Sequence, residues 1–211
     1  MAGLAVTRLG IFGGTFDPPH LGHSILAAEA CDQLRLDKIL WVLTPAAPHK
    51  IGWPISPLEQ RLALVQAAIH NSPGFEISTV DIDRQPPYYS DETLRLLQQM
   101  YPQAELVYLM GGDSLHDLPG WHAPEKFLQA CSAIGVMRRP GDLIDLGDLE
   151  TRLPGLRQKI RFVEAPLLEI SARQIRERIA SGRPYRYYLL PTVYEMIQKH
   201  HYYQESTGAE A

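Results

Sequence analysis

The stretch GIFGGTFDPPHLGH, residues 10–23, decides the fold. Residues 9–12 are apolar and predict the end of a buried strand, and Gly13 and Gly14 allow a sharp turn and a close approach to a ligand. The two prolines that follow fix φ near the helical value and predict that a helix begins there. Such a helix would direct its unpaired amide groups and positive dipole end at a bound phosphate. The stretch therefore predicts a phosphate-binding turn between a strand and a helix.

His20 and His23 are three residues apart on the first turn of this predicted helix, so they are expected to face the same way. Two imidazoles beside a phosphate can stabilise the charge that develops during phosphoryl or nucleotidyl transfer. Alternatively the pair is half of a zinc site, but no third Cys, His or Glu stands nearby at a convincing spacing. Alone, either histidine would be taken for a helix cap or a core residue. The glycine turn favours phosphate, so we expect catalytic histidines and no protein-bound metal.

Composition and charge exclude several classes of protein. Of 211 residues, 45% are hydrophobic and 21% are charged, which is typical of a folded globular chain. The net charge of −4 indicates no broad basic surface, so no nucleic-acid partner is expected. Cys31 and Cys131 are far apart, which argues against a disulfide framework. Because neither a signal-peptide core nor a run of about 18 apolar residues is present, we expect a cytoplasmic protein without a membrane partner.

Predicted strands and helices alternate along almost the whole chain. The strands are expected at residues 9–12, 38–44, 75–81, 105–111, 133–138 and 161–164. The helices are expected at residues 21–34, 57–70, 91–100, 123–130, 172–181 and 192–199. This alternation predicts an α/β fold with a mostly parallel sheet, helices on both faces and ligands at the carboxyl ends of the strands.

We expect residues 1–203 to form one domain with a helical C-terminal part. Residues 204–211 are small and polar and predict a flexible tail. Residues 141–155 are rich in Gly, Asp and Leu without clear periodicity, which predicts a surface excursion rather than a domain boundary.

A second group of candidate residues follows the last predicted strand. Ser171 is placed to cap a helix, and the guanidinium of Arg176 matches phosphate oxygens with its planar fork. A solvated basic turn is the simpler interpretation, because charges near helix ends are usually exposed. The topology favours phosphate, since this turn should lie on the same edge of the sheet as residues 13–23.

Three further candidates stand at or after strand ends. Asp113 follows a glycine pair and could bind ribose hydroxyls or a magnesium-bound water, or simply cap a helix. Trp121 follows a Pro-Gly turn and could stack on a flat heterocycle, although aromatic residues more often belong to the core. Lys50 ends the proline-stiffened loop at residues 44–50 and could attract a substrate phosphate or carboxylate.

Residues 13–23, GGTFDPPHLGH, resemble the signature GGTFDPxHxGH of bacterial nicotinate-nucleotide adenylyltransferases at every fixed position. Further elements of that family fall in the same order over nearly the whole chain. They are residues 48–50, Tyr89, Ser90 and Thr93, Gly112 and Asp113, Trp121, residues 138–140, and residues 170–176.

The resemblance implies a Rossmann-like nucleotidyltransferase that joins ATP and nicotinate mononucleotide. The products would be deamido-NAD and pyrophosphate, with Mg²⁺ carried by the ATP phosphates. It also implies that the mononucleotide phosphate attacks the α-phosphorus of ATP without a covalent intermediate. Positioning and charge stabilisation would then carry most of the rate, as the sequence pattern itself indicates.

The resemblance also implies roles for individual residues. On the ATP side, His20 and His23 would steady the transition state. The residues that would hold ATP and its phosphates are Gly13, Gly14, Thr15, Phe16, Asp113, Ser171 and Arg176. On the mononucleotide side, Trp121 would stack on the pyridine ring, and backbone amides near Ser90 and His122 would meet its carboxylate. The residues assigned to this side are Lys50, Ser90, Thr93, Trp121 and His122.

Two departures from the family pattern leave alternatives open. Arg173 stands where the family commonly has threonine, and residues 44–47 stand where it commonly has asparagines. The alternatives are an adenylyltransferase for nicotinamide mononucleotide or another phosphorylated acceptor, and a catalytically silent nucleotide-binding protein. The intact His20 and His23 argue against the silent protein. The sequence leaves the oligomeric state open, with a homo-oligomer among the options.

Overall fold

A computed structural model describes residues 7–46, 54–137, 143–166 and 168–204. The six strands of this part form one sheet whose neighbours are all parallel. They are β1 Arg8–Gly14, β2 Lys38–Leu43, β3 Phe75–Ser78, β4 Glu105–Gly111, β5 Ala133–Met137 and β6 Ile160–Val163. The order β3-β2-β1-β4-β5-β6 reverses between β1 and β4, the switch point at which such sheets bind ligands. The predicted α/β fold is confirmed.

Nine α-helices and two short 3₁₀ turns lie within the described ranges. The helices are α1 Leu21–Gln33, α2 Leu58–Ile69, α3 Ser90–Met100, α4 Gly112–Asp117, α5 Pro124–Ala130, α6 Leu146–Arg152, α7 Leu156–Lys159, α8 Ala172–Ala180 and α9 Pro191–His200. The 3₁₀ turns are Leu118–Gly120 and Arg186–Tyr188. None of these helices has both the length and the apolar character needed to cross a membrane.

The sheet is buried on both faces, because successive strand residues enter opposite cores. Ile11 belongs to the core under α3, α4, α5, α6 and α7, whereas its neighbour Phe12 belongs to the core under α1, α2, α8 and α9. In β2, Trp41 faces the Phe12 side and is fully buried. The sheet is therefore a rigid platform, and the loops at its carboxyl edge start from fixed points.

Two local predictions were wrong. Pro18 and Pro19 do not open α1, which begins at Leu21 with His20 as its N-cap residue, so both prolines belong to the preceding turn. The described part of residues 141–155 is also more than a surface excursion. It contains α6, whose first turn is capped by the Asp145 carboxylate through the amides of residues 147 and 148, and whose Leu149 is buried.

Leu94→Ala is expected to lower the free energy of unfolding by about 2 to 5 kcal/mol, because Leu94 is fully buried on α3 and its loss leaves a cavity. The matched control is Met100→Ala on the same helix. Met100 is 60% exposed, so this change should stay within about 0.5 kcal/mol. Urea unfolding of both variants measures the difference, and equal losses would contradict the packing described.

Candidate active site

The glycine turn after β1 is packed against the protein's own side chains. A Cβ on Gly13 would lie 2.9 Å from the Tyr108 hydroxyl, and one on Gly14 would lie 3.0 Å from the Phe16 ring. Phe16 has a φ of 45° and is buried, so its ring folds back under the turn. Both glycines are therefore required by close packing in addition to any approach of a ligand.

His20 and His23 form a stacked pair at the start of α1. Their ring centroids are 3.7 Å apart with 25° between the planes, and the His20 backbone N–H donates to Nδ1 of His23 at 3.1 Å. An accepting Nδ1 leaves the ring proton of His23 on Nε2. His23 also packs edge-on against Phe16, with 5.1 Å between the centroids. The pair is thus held by the helix start, with the His23 Nε2–H as a fixed donor.

A buried guanidinium connects the glycine turn to the loop after β2. Arg61 of α2 is 1% exposed. Its Nη1 donates to the carbonyls of Thr15 at 2.9 Å and Thr44 at 3.0 Å, and its Nη2 donates to the Pro45 carbonyl at 2.7 Å. Its Nε donates to the Ser56 carbonyl at 2.9 Å. Burial lowers the pKa of Arg61, and the nearby Asp17 carboxylate opposes that shift.

Asp17 connects the same turn to α8. The Arg176 guanidinium donates to the Asp17 carbonyl at 2.6 Å and lies 3.7 Å from its carboxylate. The carboxylate is 4% exposed and accepts from the Ser56 amide at 3.2 Å and from the Tyr203 hydroxyl at 3.0 Å. The structure therefore brings Arg176 to the loop that carries the histidines, on the edge where the topology predicted it.

Ser171 is the N-cap residue of α8, and its hydroxyl accepts from the Gln174 amide at 3.3 Å. The predicted cap is confirmed. Arg173, the departure from the family pattern, is exposed and pairs with Glu177 at 2.9 Å along the helix surface. In this structure Arg173 therefore points along α8, and the guanidinium that reaches the loop is that of Arg176.

Shortly after β3, Asp81 organises the start of α3. Its carboxylate accepts from the Thr93 hydroxyl at 2.7 Å, from Arg84 Nη2 at 2.9 Å and from the Thr44 hydroxyl at 3.1 Å. Thr93, predicted to bind the mononucleotide, is 4% exposed, and its hydroxyl is bonded inside the protein. In this structure Thr93 therefore holds the first turn of α3 and the loop after β2 together.

Tyr108 of β4 lies between the start of α3 and the glycine turn. Its hydroxyl lies 3.3 Å from the Ser90 hydroxyl and faces Gly13. Burial raises the pKa of Tyr108 to about 12, so the phenol keeps its proton at neutral pH. Ser90 is the first residue of α3 and is partly exposed, as a residue in contact with a ligand would have to be.

Trp121 and His122 stand beside α3. Trp121 is half-buried and meets Phe127 edge-on, with 5.4 Å between the ring centroids, so one part of it belongs to the core and another part is open. His122 stacks on Tyr89 with 4.0 Å between centroids, and its Nδ1 lies 3.2 Å from the Asp91 carboxylate. His122 is thus fixed against the start of α3. Trp121 instead packs edge-on against Phe127 of α5 and Tyr108 of β4.

Asp113 is exposed in the first turn of α4, whose N-cap residue is Gly111. The alternative in which Asp113 caps this helix is therefore wrong. Lys50 and residues 138–140 lie outside the described residues, so their predicted roles stay predictions.

Comparisons with known proteins agree with this arrangement. The model of the cytidylyltransferase-like family matches residues 11–178. A probable nicotinate-nucleotide adenylyltransferase of Thermomicrobium roseum is 45% identical over 199 residues, which cover 94% of this chain and 92% of the relative. A relative of the same name from a Roseiflexus species is 40% identical over 196 residues, covering 93% and 98%.

This chain belongs to the nicotinate-nucleotide adenylyltransferase family. The fold agrees with that assignment. The solved structure of Plasmodium falciparum nicotinic acid mononucleotide adenylyltransferase complexed with NaAD is similar at a TM-score of 0.75 and 19% identity, covering 93% of this chain and 97% of that one. A second structure of the Plasmodium protein, complexed with APC, has the same TM-score at 18% identity.

Sequence reasoning about this family member missed the residues that hold the site together. Arg61 and Tyr108 lie inside a helix and a strand that are largely apolar, and Asp81 lies in the turn after β3. A charged or hydroxylated residue in such a place is usually assigned to the surface or the core. Asp17 was part of the quoted signature but received no role. An available signal was the position of Arg61, which occupies a core-facing turn of α2 beside Leu64 and Val65.

Arg61→Met is expected to destabilise the protein by more than about 3 kcal/mol, because it removes the donors to four carbonyls in a buried site. Arg95→Met is the matched control. Arg95 is half-exposed and pairs with Glu92, so its loss should cost about 1 kcal/mol or less. Urea unfolding compares the two variants, and an Arg61 effect no larger than that of Arg95 would refute the role given to the buried guanidinium.

Proposed function

We propose that this protein transfers the adenylyl group of ATP to nicotinate mononucleotide, giving nicotinate adenine dinucleotide and pyrophosphate in NAD biosynthesis. One observation carries the proposal. The stacked His20–His23 pair and Arg176 flank the same turn at the switch point of the sheet, with Arg176 joined to it through Asp17. Cationic and N–H donors on both sides of one turn suit a phosphate chain that is cleaved between its α- and β-phosphorus atoms.

The ATP side follows from these donors. The amide groups at Gly13, Gly14, Thr15 and Phe16 would receive the phosphates, and the Nε2–H of His23 would donate to a non-bridging α-phosphate oxygen. Arg176 and the start of α8 at Ser171 would hold the β- and γ-phosphates, which leave as pyrophosphate. Asp113, exposed after β4, would bind the ribose of ATP.

The acceptor side follows from the start of α3. The open part of Trp121 would stack on the pyridine ring, and the amides near Ser90 and His122 would meet its carboxylate. Lys50 is proposed to attract the acceptor phosphate. Thr93 would act indirectly, by holding the first turn of α3 against Asp81. An oxygen of the acceptor phosphate then attacks the α-phosphorus of ATP, and the bond from that phosphorus to the β-phosphate oxygen breaks.

Mg²⁺ is proposed to enter with ATP. Among the described residues, no three His, Cys, Asp or Glu side chains gather as ligands for a metal, and the Asp17 carboxylate is already bonded to Ser56 and Tyr203. That donor set fits an ion held mainly by substrate phosphates and water, as Mg²⁺ usually is. The ion would supply charge neutralisation on the phosphates. We also propose that the protein acts in the cytoplasm, where the sequence predicts it.

Pyrophosphate release with ATP and Mg²⁺, on nicotinate and nicotinamide mononucleotide in parallel, tests the proposal. We expect kcat/KM to favour the acid by about a hundredfold, because the amides near Ser90 and His122 would pair with a carboxylate. Equal use of both acceptors would replace the proposed specificity with a dual one. No release with either would overturn the assignment.

His23→Ala is expected to lower kcat by about 10²- to 10³-fold, because it removes a fixed donor to the charge that develops at the α-phosphate. His70→Ala is the matched control, since His70 is exposed at the end of α2 and should leave kcat unchanged. Circular dichroism and ATP binding by calorimetry check that the His23 variant is folded. Retention of full turnover in that variant would remove His23 from the mechanism.

A further inference from the structure

The chain turns sharply after α9 and brings Tyr203 back to Asp17, in the segment between β1 and α1. His201 and Tyr203 both have left-handed φ angles, of 55° and 64°. Such angles are uncommon for residues other than glycine and persist only where surrounding contacts enforce them. His201 is the left-handed C-cap residue of α9, and its N–H donates to the carbonyls of Gln198 and Ile197. The turn that it starts brings the Tyr203 hydroxyl to Asp17 Oδ1, at 3.0 Å and across 186 positions of the sequence.

Asp17 is a carboxylate in the proposed phosphate-binding loop, so its negative charge would repel the ligand unless nearby donors and a cation compensate it. Its two oxygens are directed elsewhere. Oδ1 accepts from Tyr203, and Oδ2 accepts from the Ser56 amide and lies 3.7 Å from the Arg176 guanidinium. The carboxylate, 4% exposed, is thereby turned away from solvent and faces the cation of α8.

Tyr203 is suited to remain the donor in this contact. Burial and the Asp17 carboxylate raise the pKa of Tyr203, so its hydroxyl keeps its proton. Arg176 in turn is 31% exposed, so its guanidinium is held by Asp17 but still reaches the surface of the site.

We propose that Tyr203 is a positioning residue for the leaving phosphates: through Asp17 it holds the Arg176 guanidinium in the orientation that binds them. This inference rests on the proposed function for the identity of the ligand. The hydrogen bonds themselves run from Tyr203 to the Asp17 carboxylate and from Arg176 to the Asp17 carbonyl. A residue after the last helix thus tunes affinity for the triphosphate end of ATP and leaves the acceptor side alone.

Tyr203→Phe removes one hydroxyl and tests this directly. We expect the KM for ATP and the dissociation constant for Mg²⁺-pyrophosphate, measured by calorimetry, to rise about fivefold, because the hydrogen bond that orients the charged pair is lost. The KM for nicotinate mononucleotide should not change. Tyr202→Phe is the matched control, since the Tyr202 ring stacks on His200 at 5.2 Å and should leave every constant unchanged.

A second variant separates positioning from folding. In an Arg176→Ala background, Tyr203→Phe should cause no further loss of pyrophosphate affinity, because its effect passes through Arg176. An equal loss in both backgrounds, or a parallel rise in the KM for both substrates, would overturn the proposal. One outcome is that the wild type binds pyrophosphate yet shows no turnover of nicotinate mononucleotide, while Tyr203→Phe weakens pyrophosphate binding. In that case the proposed function fails and the positioning role stands. If the wild type converts nicotinate mononucleotide and Tyr203→Phe has the same KM for ATP and the same affinity for pyrophosphate, only the positioning role fails.

Discussion

The buried guanidinium of Arg61 is the interaction on which the site depends. It bonds to carbonyls of the glycine turn, of the loop after β2 and of the segment before α2. These segments carry opposite sides of the proposed reaction, and a cation that is 1% exposed cannot exchange its carbonyl partners for water without opening the core. The distance between the glycine turn, which would hold ATP, and the loop after β2, which would hold the acceptor, is therefore set before either substrate binds.

Two further groups extend this frame across the switch point. The Asp81 carboxylate accepts hydrogen bonds from Thr44, in the loop after β2, and from Thr93 of α3. The Tyr108 hydroxyl of β4 lies between Ser90 and the turn at Gly13. Buried networks of this kind hold a site rigid when their members are satisfied. Direct transfer between two bound nucleotides needs such rigidity, because its rate depends mainly on placing the attacking oxygen in line with the leaving group.

Much of the fold could be predicted from the sequence, since alternating strand and helix patterns leave few topologies. The six strands lie within a few residues of their expected places, because apolar runs of that length are buried on both faces of a parallel sheet. The start of α1 at Leu21 agrees with the predicted helix, but its N-cap residue is His20, which is not one of the usual capping types, and the two prolines lie before it. The contacts of Arg61 and Asp17 join residues far apart in the chain, and no local pattern encodes them.

The stereochemical course at the α-phosphorus tests the central claim most directly. ATP carrying a chiral α-thiophosphate, turned over with nicotinate mononucleotide, should give a dinucleotide with inverted configuration at that phosphorus. Inversion is the result of one in-line displacement, in which the acceptor phosphate replaces pyrophosphate at the α-phosphorus while the glycine turn and the loop after β2 hold both substrates. Retention would mean two displacements through a covalent adenylyl-protein, and would contradict direct transfer in a site built only for positioning.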